Sequence, residues 1–131
     1  MMLHHVELYV SSLRTSAQWW GALLTRLGWA PYQSWDTGCS WRSRDGVYLV
    51  LVQAAPDACE PTYHRRRVGL NHLALCAGRP AQVDALAMEL MTHGTHMLYA
   101  DRYPWAGGEG HYAAYLLDPD GIKVELVADH R

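Results

Sequence analysis

An internal repeat constrains the fold of this chain more than any other feature. Residues 3–8 (LHHVEL) and residues 70–75 (LNHLAL) share the order Leu, any residue, His, an aliphatic residue, any residue, Leu. Both segments alternate apolar and polar positions, which is typical of a half-buried strand. The repeat predicts two copies of one structural unit along the chain.

A helix is predicted after each repeated strand. Ser11 or Ser12 can cap the first helix, and Gly28 is placed to end it in a left-handed conformation. The second helix is predicted to begin near Pro80 and to end at Gly94. Each helix has an apolar stripe at three- and four-residue steps. The stripes consist of Leu13, Ala17, Trp20, Leu24 and Leu27 in the first helix and Val83, Leu86, Ala87, Leu90 and Met91 in the second.

Three strand-like runs follow each helix. They cover 30–35, 38–43 and 46–53 in the first half, and 96–100, 111–117 and 121–127 in the second. The last run of each half follows an Asp-Gly pair, which is a strong hairpin signal between strands. These pairs are Asp45-Gly46 and Asp120-Gly121.

The order of elements predicts an α+β fold of two tandem βαβββ modules in one domain, 1–131. Module one covers 1–55, a linker with Pro56 and Pro61 covers 56–67, and module two covers 68–131. We expect the modules to form a curved mixed sheet around a cleft. The glycine-rich segment 101–110 is predicted to be a long loop beside that cleft, where ligand lids are common.

Size and charge narrow the classes of function. The chain has 131 residues, and because half of them are apolar we expect a buried core. Its net charge is −2, so we expect no nucleic-acid partner. No stretch approaches the roughly 18 apolar residues that cross a bilayer, and residues 1–5 lack the features of a signal peptide. We therefore expect a cytoplasmic location and no membrane partner. Because the cysteines, Cys39, Cys59 and Cys76, are odd in number and include no CxxC pair, we expect them to be free thiols.

Strand alternation brings three side chains to one face of the predicted sheet. If Val6 and Leu8 pack on the helix, His5 faces the concave side. The same argument assigns His72 to the concave side in the second repeat, and Glu125 in the last strand. Two imidazoles and one carboxylate are the ligands of open metal sites, and a metal also offsets the cost of a carboxylate on a buried face.

The alternative interpretation is that these histidines are ordinary polar residues, which is the commoner fate of a single histidine on a strand. Two histidines at equivalent repeat positions, with Glu125 nearby, favour a metal site. His4 is expected to face the helix side or the sheet edge. Iron(II), manganese, zinc and nickel all suit this donor set, so one divalent ion is predicted without its identity.

At these residues the chain resembles the vicinal oxygen chelate superfamily, which includes glyoxalase I, extradiol dioxygenases, and fosfomycin- and bleomycin-resistance proteins. The resemblance rests on residues 3–6 (LHHV), 70–73 (LNHL) and 118–126 (DPDGIKVEL), and it extends over nearly the whole chain. It is closest to the small bacterial glyoxalase-like members, on residues 5–10 and 103–108. The resemblance implies metal ligands at His5, His72 and Glu125, a small-molecule substrate, and a homodimer with exchanged modules.

The chain also departs from the better-known members. Glyoxalase I has a fourth ligand in its first half, where this chain has Val50. Tyr115 matches a substrate-contacting tyrosine of fosfomycin-resistance transferases, but Glu7 stands where those proteins have a small hydroxyl residue. Extradiol dioxygenases carry a further catalytic His or Tyr, for which His111 and Tyr115 are the candidates.

Two hypotheses of different classes follow from this pattern, besides a third in which the cleft is vestigial. In the first, the chain is a metal-dependent enzyme that chelates two vicinal oxygens of its substrate, with Glu7 as general base and Tyr115 as a substrate contact. Glu7 could instead pair with Arg65, Arg66 or Arg102, and Tyr115 could be a packing residue. In the second, the chain sequesters a drug without chemistry, in a cleft lined by aromatic residues. The aromatic candidates are Trp35, Trp41, Tyr48 and Trp105.

Overall fold

The computed structural model of the protein describes residues 3–129, so the outer ends of the two predicted modules, 1–2 and 130–131, lie outside the described residues. The first module runs as strand, helix, three strands. Its elements are β1 (His5–Val10), α1 (Leu13–Arg26), β2 (Ala30–Trp35), β3 (Gly38–Arg42) and β4 (Tyr48–Gln53). A single 3-10 turn, Pro56–Ala58, follows in the predicted linker.

The second module repeats this order. Its elements are β5 (His72–Cys76), α2 (Pro80–Thr92), β6 (Met97–Leu98), β7 (Ala113–Leu117) and β8 (Lys123–Val127). The predicted pair of βαβββ modules is therefore confirmed. Strand β6 is shorter than the predicted 96–100, because Tyr99 adopts a left-handed conformation (φ 58°) and a 3-10 turn, Ala100–Arg102, follows it.

Each module contains a four-stranded mixed sheet of the same topology. The strand order is β1-β4-β3-β2 in the first sheet and β5-β8-β7-β6 in the second. The first strand of each module pairs in parallel with the last, and the other pairs are antiparallel. The last strand of each module therefore lies inside its sheet, while the first strand lies at an edge.

The contacts divide the chain into two compact units, residues 1–62 and 63–131. The predicted curved sheet is found as these two four-stranded sheets, one in each unit. The division of one domain into modules at 55 and 68 stays a prediction.

The helix signals of the sequence hold at both ends of α1. Ser12, one of the two candidate caps, accepts a hydrogen bond from the backbone of Thr15. Gly28 adopts a φ of +89°, as the left-handed end of the helix requires. Trp20 and Leu24 are buried as predicted.

Burial of the predicted stripes is complete at some positions and partial at others, and it fails at Met91. Leu13, Ala17 and Leu27 are half-buried, while Leu23 is fully buried. Met91 is 42% exposed. Successive residues of a helix are rotated by about 100°, so Met91 points away from the buried face that contains Leu90. Within residues 3–129, no helix has both the length and the apolar character to cross a membrane.

Candidate metal centre

The faces predicted for β1 are confirmed. Leu8 and Val10 are buried, whereas His5, Glu7 and Tyr9 are exposed on the other face. In β5 the same alternation leaves His72 exposed and the two leucines half-buried. Residues 123–126 of β8 are all buried, because β8 lies between β5 and β7, so burial alone cannot mark its faces.

The register of the second sheet gathers polar side chains around Glu125. Glu125 lies opposite Ala74 of β5 and opposite Tyr115 of β7. Two residues earlier on β5, His72 lies opposite Lys123. Because side chains alternate across a sheet, these pairs lie on the face that carries His72.

Glu125 is a buried carboxylate held by two imidazoles. It is 4% exposed. The Nε2 atom of His72 lies 3.1 Å from Oε1, and the Nε2 atom of His111 lies 2.5 Å from Oε2. The hydroxyl of Tyr115 also hydrogen-bonds Glu125. The hydrogen bonds with His111 and Tyr115 offset the cost of burying the charge.

The neighbours of His72 indicate which of its nitrogens carries the proton. Asn71 donates its amide to the backbone oxygen of Arg65 at 3.0 Å, which fixes its Oδ1 towards His72. That oxygen lies 2.8 Å from Nδ1 of His72, so Nδ1 carries the proton. In the neutral ring Nε2 then presents a lone pair to the carboxylate of Glu125. A cation between two such acceptors removes their repulsion, and an oriented imidazole of this kind is typical of metal ligands.

His111 is a partner of Glu125 that sequence reasoning named only as a dioxygenase candidate. It lies two residues before β7, on the face of Ala113 and Tyr115. The two-residue spacing from Ala113 and Tyr115 is the sequence pattern that could have assigned His111 to the face of Glu125. The loop before it is anchored on α2, where Tyr103 and Tyr112 both donate hydrogen bonds to Oδ1 of Asp84.

Gly107 lets that loop pass close to the site. A Cβ added at Gly107 would collide with the hydroxyl of Tyr115 and with the ring of His111. The predicted loop over 101–110 therefore packs on the polar face of the second sheet.

His5 lies in the first unit, and its surroundings differ. Its ring stacks on Tyr48 with centroids 4.6 Å apart and an interplanar angle of 3°. Its Nδ1 atom lies 2.8 Å from Nδ1 of His4, whose ring is edge-on to both His5 and Tyr48. His4 precedes the first residue of β1 in sequence, and its ring contacts the ring of His5.

Over residues 3–129, no three His, Cys, Asp or Glu side chains form a group that could hold a metal ion. His72 and Glu125 are in contact in the second unit, and His5 belongs to the first. The triad His5, His72 and Glu125 therefore stays a prediction. The donor chemistry of His72 and Glu125 fits a divalent ion of the predicted kind.

The two predicted catalytic residues lie in opposite environments. Glu7 is exposed on an edge strand. Tyr115 is 7% exposed. Burial first, and then the charge of Glu125, raise the pKa of Tyr115 to about 12, so its phenol stays protonated at neutral pH.

The aromatic residues proposed for a drug-binding cleft do not share one environment. Trp41 is 8% exposed and packs against Gly21 of α1, where an added Cβ would lie 3.1 Å from its ring. It is therefore a core residue of the first unit. Trp35 and Trp105 are exposed, and Tyr48 stacks on His5.

A sequence model of the glyoxalase/bleomycin resistance protein/dioxygenase superfamily matches residues 4–115. The chain belongs to this superfamily. The matched region includes His5, Glu7, His72 and His111, and it ends before Glu125.

Individual relatives support this assignment. The chain is 54% identical to the uncharacterised protein YqjT of Bacillus subtilis (strain 168), over 96% of this chain and 98% of that protein. It superposes with a TM-score of 0.94 on a candidate glyoxalase from Bacillus halodurans at 48% identity, covering 98% of this chain and 96% of that one. A lactoylglutathione lyase from Agrobacterium tumefaciens, with a TM-score of 0.67 and 19% identity over 97% and 92% of the two chains, shares the fold.

Proposed function

We propose that this protein is a divalent-metal-dependent enzyme of the glyoxalase and dioxygenase type that acts on a small molecule. Its metal ligands would be His5, His72 and Glu125. One observation carries the proposal: a buried carboxylate lies between two imidazole Nε2 atoms at 3.1 and 2.5 Å. Membership of the superfamily supports it.

The metal would supply a Lewis acid for two vicinal oxygens of the substrate. The residues of the chain prepare that site. Asn71 holds His72 with Nε2 towards Glu125, while His111 and Tyr115 fix the orientation of the carboxylate. Such partners of a ligand maintain its geometry and basicity.

Glu7 is the proposed general base, because a carboxylate on an edge strand is accessible to a substrate proton. Tyr115 is the proposed substrate contact. Its protonated hydroxyl, already directed at Glu125, can donate to a substrate oxygen beside the same carboxylate.

A sequestering role of the bleomycin-resistance type is less well supported. A binding protein without chemistry has no need of a carboxylate that is 4% exposed and paired with two histidines. Trp41, one of its proposed cleft residues, lies in the core.

We also infer a homodimer, as in the resemblance described above, and a cytoplasmic location in which the thiols of Cys39, Cys59 and Cys76 remain reduced. Light scattering on the purified chain tests the first inference, with a mass of twice 14.8 kDa expected.

Elemental analysis tests the metal dependence. We expect about one divalent ion per chain in untagged protein purified without chelator, and its loss in His72→Ala. His96→Ala is the matched control, because His96 is an exposed histidine of the same unit outside this cluster. A wild-type protein that stays metal-free after reconstitution with iron(II), manganese, zinc or nickel would overturn the proposal.

A further inference from the structure

Lys123 is the only lysine of the chain, whose other basic residues apart from histidine are arginines. It is 8% exposed and lies on β8, two residues before Glu125. Side chains two residues apart on a strand share a face and are separated by roughly 7 Å. The lysine is therefore a neighbour of the proposed metal centre.

The ammonium of Lys123 is surrounded by phenols instead of carboxylates. Its Nζ atom donates a hydrogen bond to the hydroxyl of Tyr99 at 2.9 Å. It also lies 4.8 Å from the ring centre of Tyr99 and 5.0 Å from that of Tyr115. Over residues 3–129 no carboxylate forms an ion pair with it. Buried charges are normally paired, so this cation favours an anionic partner.

Other cations surround Tyr99 as well. The guanidinium of Arg102 lies 4.9 Å from the ring centre of Tyr99. The hydrogen bond from Lys123 first, and then Coulombic attraction to Lys123 and to Arg65, lower the pKa of the Tyr99 phenol. Tyr99 adopts a left-handed backbone conformation (φ 58°), which is uncommon for a residue other than glycine. The surroundings of this phenol are thus strongly electropositive.

We propose that Lys123, the hydroxyl of Tyr99 and the neighbouring Arg65 form a subsite for an oxyanion group of the substrate, either a carboxylate or a phosphoryl group. The inference rests on the proposed function, since it adds the substrate class to the same site. The substrate would carry its anionic group roughly 7 Å from the oxygens that are chelated beside Glu125.

The first experiment uses the lysine itself as the reporter. Isotope-labelled lysine gives one side-chain NMR signal in the full-length chain, because Lys123 is the only lysine. Metal-free protein is titrated at constant pH and ionic strength with inorganic phosphate, with acetate and with chloride. We expect a saturable shift with phosphate or acetate and none with chloride. Saturation by phosphate alone identifies a phosphoryl group, and saturation by acetate alone identifies a carboxylate.

Variants then test whether the charge of Lys123 is responsible. Calorimetry should show anion binding about tenfold weaker in Lys123→Met, as expected for the loss of a charge-assisted hydrogen bond. Lys123→Arg should retain it. Arg14→Gln, which removes an exposed charge from α1, is the control and should bind as the wild type does.

A linear, non-saturable response of the lysine signal to all three salts would overturn the inference, even if Lys123→Met failed to fold. Equal weakening in Lys123→Met and Arg14→Gln would do the same, since it would indicate a general charge effect. Because the titration uses metal-free protein, these results are independent of metal content. Loss of the proposed function would appear in the elemental analysis instead.

Discussion

The two modules place a carboxylate on opposite strands of the same strand pair. In module one the histidine strand carries Glu7, which lies opposite Val50 of β4. In module two the histidine strand carries Ala74, which lies opposite Glu125 of β8. The register is equivalent in the two sheets, so the chain has exchanged an acidic and an apolar residue between paired positions.

That exchange determines which carboxylate becomes buried. Strands β1 and β5 lie at the edge of their sheets, whereas β4 and β8 lie inside. Glu7 on the edge strand is exposed, while Glu125 on the inner strand is 4% exposed and has three partners. One scaffold thus provides both an accessible carboxylate, the proposed general base, and a buried one, the proposed metal ligand.

The largest expected effect is a difference in metal affinity between variants of these two carboxylates. Glu125→Gln keeps the shape of the side chain but removes its charge, so we expect divalent-metal affinity to fall about 100-fold or more. Glu7→Gln should retain the metal of the wild type. Equilibrium titration of both variants with manganese or zinc gives the comparison. Comparable losses in the two variants would show that the carboxylates are equivalent.

A second prediction inserts the missing carboxylate into module one. Val50 is 5% exposed and lies opposite Glu7, so Val50→Glu buries a charge beside a like charge. We expect the free energy of unfolding to fall by about 3 kcal/mol. Glu7→Val, on the exposed partner position, should change it by less than about 0.5 kcal/mol. Urea denaturation of metal-free protein measures both changes. A Val50→Glu variant with the stability of the wild type would contradict the burial argument.

A third prediction concerns alkaline pH. The pKa of Tyr115 is raised to about 12 in the folded protein, from the ordinary value of 10.0 for a tyrosine phenol. The folded state therefore retains a proton that the unfolded state loses. Protonated Tyr115 therefore contributes up to roughly 2 kcal/mol to the free energy of unfolding. This stabilisation is fully present below about pH 10 and is lost as the pH rises towards about 12.

Tyr115→Phe should therefore show a shallower fall in the free energy of unfolding between pH 10 and 12 than the wild type. Tyr48→Phe, the matched change opposite His5 in module one, is the control. Denaturant unfolding of chelator-treated protein at several pH values gives the slopes. Parallel slopes for wild type and Tyr115→Phe would refute the raised pKa of Tyr115 in the folded protein.

The smallest expected effect compares the two helix starts. The side chain of Ser12 caps α1, whereas Gln82 accepts the backbone N–H of Arg79 at the start of α2 at 2.7 Å. Ser12→Ala should cost about 1 kcal/mol of stability, and Gln82→Ala about 0.5 kcal/mol. Thermal unfolding resolves the difference, and the reverse order would show that the caps were ranked wrongly.

The repeat, the element order and the polar faces could be predicted from sequence because each depends on local periodicity. The β1 alternation that exposes His5 and Glu7 and buries Leu8 is an example. The predicted length of β6 was wrong, because the strand ends before Tyr99, which takes a left-handed conformation. Residue propensity does not predict this conformation at a tyrosine.

The site was predictable only in part for a similar reason. The faces of His72 and Glu125 follow from the alternation of side chains along β5 and β8, which is a local pattern. The position of His111 depends instead on a loop anchored by Asp84, far away in sequence. The contact between Lys123 and Tyr99 likewise joins residues on different elements, and no short-range pattern encodes it.

The central proposal is that His5, His72 and Glu125 bind one metal ion. Elemental analysis of His5→Ala beside His111→Ala tests it most directly. We predict that His5→Ala loses the ion, while His111→Ala keeps it with affinity reduced about 10- to 100-fold, as expected for a partner of a ligand. An ion retained in His5→Ala and lost in His111→Ala would contradict the claim and assign the site to module two alone.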